Sequence, residues 1–231
     1  MQKKDIQIPS SEGKSFDCYV VAPDAKDKVP AIVLASAIHG VDQDIRDLAD
    51  SFAARGYLAA APDLFSRSVP GPLKRDDPRS KPRGQPRLEK LKDGEKDLAD
   101  TLAMLKKQPA FNGRAAVMGF CYGGPFAILG PKRLGYAAGI ACHGTQMLDF
   151  VQELEGVTKP LCIIWGDQDV MAPPPVLEAY RAVPARMKNV EVHIFPGVLH
   201  GYMMKAAPDV YDQKLYDFSM GRAFAILEGL R

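Results

Sequence analysis

Short runs of wholly apolar residues recur along the chain, and between them apolar positions fall at helical spacing. Pro30 introduces Ala31-Ile32-Val33-Leu34-Ala35, apolar at every position, which suits a strand covered on both faces inside a parallel sheet. Residues 57–61, 115–118, 136–142, 161–165 and 190–195 read as further strands. Ile45, Leu48 and Phe52 share one helical face closed by Gly56, and Leu91, Leu98, Leu102 and Leu105 mark an amphipathic helix that ends before Pro109. Further helices are expected over 147–154, 176–183 and 209–229. Residues 6–9 and 15–22 flank the Glu12-Gly13 turn as an antiparallel hairpin at the sheet edge. Residues 62–86, rich in proline, glycine and charge, read as an irregular surface excursion of the kind that walls a site.

Strands alternating with helices predict an α/β fold, a mostly parallel twisted sheet with helices on both faces, because parallel neighbours need a crossover. In such sheets ligands gather where the carboxyl ends of the strands release their loops. The 231 residues carry no repeat or linker, so a single domain over 1–231 is expected. A net charge of +2 asks for neither nucleic acid nor an anionic membrane as partner. The lysines at the start precede no apolar core, and no apolar run approaches the roughly 18 residues of a membrane span, so the expectation is a soluble, cytoplasmic protein. Four cysteines without a Cys-x-x-Cys pair read as free thiols, and four scattered histidines give no metal motif, so no metal is expected.

The chemistry concentrates in Gly119-Phe120-Cys121-Tyr122-Gly123-Gly124, between an apolar strand and a stretch, Pro125 to Leu129, that can wind as a helix. This is the layout of a nucleophile elbow, where small residues let a strand turn sharply into a helix and expose one reactive side chain. Cysteine stands at that place and works as the thiolate, so it needs a base and positive potential, partly supplied by a helix start at Tyr122. In α/β-hydrolases the nucleophile is followed by an acid and then a histidine, each after its own strand. Here the strand 161–165 runs into Gly166-Asp167-Gln168-Asp169, and the strand 190–195 into Pro196-Gly197-Val198-Leu199-His200-Gly201. His200 is the base, and Asp167 or Asp169 the acid that orients it. The oxyanion donors expected are the N–H groups of Tyr122, after the nucleophile, and Ile38, in the loop after Ala35. His39 borders that loop as a lining candidate, whereas His143 and His193 read as structural or surface histidines.

These motifs, together with Gly56-Tyr57, Ala61-Pro62-Asp63-Leu64-Phe65 and Pro173, resemble the dienelactone hydrolase family, the cysteine-using branch of the α/β-hydrolases, over nearly the whole chain. The resemblance implies a cofactor-free hydrolase of small esters or lactones with a triad on Cys121, Asp169 and His200. It also exposes two departures. Ala37 stands where family members carry a glutamate that helps activate the thiol, and Met203-Met204-Lys205 stands where they carry an arginine for the substrate carboxylate. A second arginine would come from the excursion, with Arg83 the candidate beside Arg79 and Arg87. The expectation is therefore a less acid-specific, more apolar site with Ala37, His39, Arg83, Trp165, Tyr202 and Met203 as its substrate-binding candidates, and a natural substrate other than dienelactone. Acyl transfer, carbon–carbon bond hydrolysis, or a non-catalytic metabolite-binding or redox-sensing descendant are the alternatives. A monomer or weak homo-oligomer is expected.

Overall fold

A computed structural model describes the whole chain, Met1–Arg231. It contains an eight-stranded, mostly parallel sheet, and the chain divides into two compact units, Met1–Ala115 with Leu230–Arg231 and Ala116–Gly229.

In the first unit β1 (Gln2–Pro9) and β2 (Ser15–Ala22) form the antiparallel hairpin, and β3 (Val29–Ala35) is buried at every position. Helix α1 (Gln43–Ala54) starts where the Asp42 carboxylate accepts the Ile45 N–H, 3.2 Å, and it buries Ile45, Leu48 and Phe52. Strand β4 (Leu58–Pro62) runs parallel to β3 and antiparallel to β2. The excursion is mostly turns with one short helix, α2 (Ser80–Arg83), before α3 (Arg87–Leu105) buries its leucine face.

Strand β5 (Phe111–Phe120) enters the second unit at Ala116. There β5, β6 (Ala138–Cys142), β7 (Leu161–Gly166) and β8 (Val190–Phe195) lie in sequence order, all parallel, so their carboxyl ends share one edge. The helix after the elbow keeps its expected span, and three others differ from expectation, each for a local reason. After the elbow a single 3-10 turn, Cys121–Gly123, leads to α4 (Phe126–Leu129) and then a π turn, Gly130–Leu134. Pro131 has no N–H to donate back along the helix, and the Gly135 N–H closes onto the Gly130 carbonyl instead. The expected helix over 147–154 is two 3-10 turns, Met147–Phe150 and Gln152–Leu154, entered from a left-handed Gln146 at φ 54°. The helix expected over 176–183 is split into α5 (Pro174–Arg181) and α6 (Val183–Arg186), the second carrying Pro184 in its first turn. The last helix, α7 (Gln213–Glu228), starts where the Asp212 carboxylate accepts the Leu215 N–H, 2.8 Å, rather than at 209. No helix is long and apolar enough to cross a membrane.

Candidate active site

Four strand ends of the second unit meet at the same edge because β5 to β8 are parallel and aligned: Phe120 lies opposite Cys142, Cys142 opposite Ile164, and Ile164 opposite His193. Cys121 follows β5 at φ 50°, a left-handed conformation that costs a non-glycine residue about 1–3 kcal/mol. The fold holds it there by its carbonyl, which accepts from the Gly124 N–H at 3.1 Å, the Thr145 N–H at 3.0 Å and the Thr145 hydroxyl at 3.2 Å. A methyl group on Gly119 would sit 2.0 Å from the Gly123 carbonyl oxygen, so only glycine permits so tight a turn. Cys121 is half-buried, while Cys142 and Cys162 are buried thiols whose pKa values burial pushes up to about 12. The helix after the elbow is too short to act as the dipole the sequence suggests. Its opening is one 3-10 turn.

The acid and base loops are knitted together before they present their side chains. Gly166 ends β7 so close to the base loop that a methyl group there would lie 2.0 Å from the Val198 carbonyl oxygen. Asp167 is exposed, and its carboxylate accepts the Gly197 N–H at 2.8 Å. Asp169 is 2% exposed and turns inward, one oxygen accepting the Met171 N–H at 2.8 Å and both lying 2.9 Å from His200 Nδ1. His200 Nε2 is left for the sulfur. Burial disfavours the imidazolium, but hydrogen bonds and charge from Asp169 and Cys121 outweigh it and push the His200 pKa up to about 10. Cys121, Asp169 and His200 are thus brought together.

The sequence did not point to His143. It follows β6 at φ 42°, 1% exposed, with its ring edge-to-face on His200 (centroids 5.0 Å) and on Tyr202 (5.2 Å). A buried histidine in His-Gly after an apolar strand is a faint signal, visible only once the structure places His200 beside it.

The other candidates are scattered. Trp165 is core: its indole N–H donates to the Gly144 carbonyl at 3.0 Å and its ring meets Tyr180 at 5.0 Å. Tyr202 is fully buried with its hydroxyl 3.0 Å from that of Ser219, and Met203 is 1% exposed. Tyr122 follows the sulfur in the elbow turn with a buried side chain. Ala37, Ile38 and His39 lie on the loop after β3 in the first unit, where Ala37 is buried and the other two half-buried. His39 has its pKa lowered, first by burial and then by the positive charges of Arg75 and Arg83. Arg83 is 2% exposed, its guanidinium 4.1 Å over the Phe65 ring, with Nη2 donating to the Gly71 carbonyl at 2.9 Å and 3.6 Å from Asp63. Within its unit it holds the excursion down.

The sequence profile of the dienelactone hydrolase family matches residues 16–228. A carboxymethylenebutenolidase of Pseudomonas putida is 27% identical, with 93% of this chain and 95% of that protein covered. Carboxymethylenebutenolidase 1 of Cupriavidus pinatubonensis is 25% identical, covering 100% of this chain and 99% of that one. The crystal structure of a dienelactone hydrolase-like promiscuous phosphotriesterase from metagenomic libraries superposes with a TM-score of 0.81 over 100% of this chain and 99% of that one, at 16% identity, a likeness of fold.

Proposed function

The chain belongs to the dienelactone hydrolase family and is a hydrolase of the lactone and ester class, and from that premise we propose that it works through a thioester on Cys121, with His200 as general acid and base and Asp169 as the group that orients and stabilises the imidazolium. One observation carries the proposal: both oxygens of a buried carboxylate lie 2.9 Å from His200 Nδ1, which leaves Nε2 for the sulfur. The raised pKa of His200 keeps the proton on the imidazole at neutral pH, and a cation beside the sulfur favours thiolate.

The cysteine sulfur attacks the substrate carbonyl carbon, and the charge passing to the carbonyl oxygen is met by the Tyr122 N–H. As the carbon–oxygen ester bond breaks, His200 Nε2–H protonates the departing alkoxide, which in a lactone stays tethered to the acyl chain. Neutral His200 then takes a proton from water, the hydroxide attacks the thioester, and the acid leaves as the sulfur is released. Asp169 accepts from Nδ1–H throughout.

The substrate proposed is a small ester or lactone other than dienelactone. Lys205, in the segment after His200, lies with its ammonium 4.9 Å over the Tyr216 ring, and Met203 and Met204 beside it are buried, which supports a site without the acid-binding arginine. Incubation with an activated acetate ester followed by intact-mass and peptide analysis is expected to place one acetyl group on Cys121. Acetylation elsewhere, or full turnover by Cys121→Ala, contradicts the proposal.

A further inference from the structure

Away from the triad, β7 and β8 bring a thiol, a carboxylate and an imidazole to one face. Cys162 lies directly opposite Glu191, and His193 follows two residues along β8, on the side of the sheet shared by Glu191. Their sulfur, oxygen and ring nitrogen all lie within 4.8 Å of one another. None of the three serves the chemistry proposed for Cys121. We propose that Cys162, Glu191 and His193 form a binding site for a zinc-like divalent cation, bracing the strand pair whose ends carry Asp169 and His200.

The donor set fits that class of metal. Zinc takes thiolate, imidazole and carboxylate together, commonly three protein ligands with a fourth position left to water. At the usual bond lengths the donors of a tetrahedral site stand about 3.4 Å apart, so small side-chain rotations close this group around an ion. Two donors already face each other, His193 Nε2 lying 3.1 Å from Glu191 Oε2, and the ion would replace that contact. The second Glu191 oxygen is held by Arg222 of α7, which fixes the carboxylate's orientation as outer partners of metal ligands do. The His193 ring is fixed by Phe218, 4.9 Å away. Cys162 is fully buried, whereas the Glu191 and His193 side chains are 41% and 32% exposed, which gives an ion a way in. Binding releases the thiol proton to solvent, and thiolate and carboxylate then set two negative charges against the ion's two positive ones, with the Arg222 guanidinium, which also reaches Cys162, swinging off the sulfur toward solvent as the ion enters. The spacing of 28 residues between the cysteine and Glu-x-His follows no metal motif in the sequence, so only the strand register reveals the cluster.

The test uses cobalt(II) added to the full chain carrying Cys121→Ser, which removes the one half-exposed thiol. One equivalent is expected to bind with the intense near-ultraviolet band of a cobalt–thiolate bond, and zinc is expected to displace it. Adding Cys162→Ser should abolish the band. His193→Gln, at a half-exposed strand position that leaves the core intact, should weaken cobalt binding at least about tenfold. A band that disappears with Cys121→Ser alone, cobalt binding unchanged by His193→Gln, or no binding at all overturns the proposal.

Discussion

His200 holds its imidazole between the Asp169 carboxylate and the Cys121 thiol, so each partner has a separable effect. Asp169→Asn removes the charge while keeping the shape. Its kcat is expected to fall by about 10³–10⁴, as when the acid of a serine triad becomes an amide, and the His200 resonance in NMR should titrate at lower pH than in the unaltered protein. Asp167→Asn keeps an acceptor oxygen for the Gly197 N–H and removes a charge that does not face the imidazole, so it leaves that titration in place. Both aspartates were visible in the sequence, and family resemblance favoured the second. What separates them physically is burial, since one faces solvent and the other the imidazole, and a string of residues does not display that difference. His143 makes the same point more sharply. Truncation by His143→Ala should open a cavity beside His200, lowering stability by about 3 kcal/mol and kcat by about tenfold, whereas His143→Phe refills the space and should restore most of both. Thermal denaturation read beside the kcat/KM pH profile distinguishes a positioning role from simple packing, which would leave that profile unmoved.

The strand-to-helix turn at Cys121 depends on the backbone more than on side chains. Gly119→Ala forces a methyl group against the Gly123 carbonyl at 2.0 Å, so the turn must open. We expect a Tm lowered by about 4–12 °C, corresponding to roughly 2–3 kcal/mol at this chain length, with ester turnover lost well below that temperature. A normal rate at normal stability would show the turn to be tolerant. All the strands were legible to within a few residues, because runs such as residues 31–35 and 161–165 are buried on both faces and therefore apolar throughout. The helices were less so. Pro131 and Pro184 lie just past the stretches that read as helical, 125–129 and 176–183, and the short turns of helix that hold them are ones that apolar spacing does not register.

Convergence of groups 48 and 31 positions apart, Cys121 to Asp169 to His200, needs four parallel strands in sequence order, and the alternating pattern already required such a sheet. The order of the three residues, each after its own strand, was therefore legible. The ring against His200 and the cluster on β7 and β8 were not, because cross-strand neighbours follow register and not sequence spacing. The same constellation ties stability to pH. His200 has a folded pKa of about 10 against about 6.5 in an unfolded chain, so its contribution is complete below about pH 6.5 and is lost as pH rises to about 10. Tm is expected to fall across that window, and the fall should shrink in Asp169→Asn. The central claim is that sulfur and imidazole act as one device. It is tested most directly by comparing ester turnover in Cys121→Ala, His200→Ala and the double variant. Groups acting as a unit predict a double variant no slower than the slower single one. Losses that multiply would mean that the two side chains contribute independently, and the thioester route would fail with them.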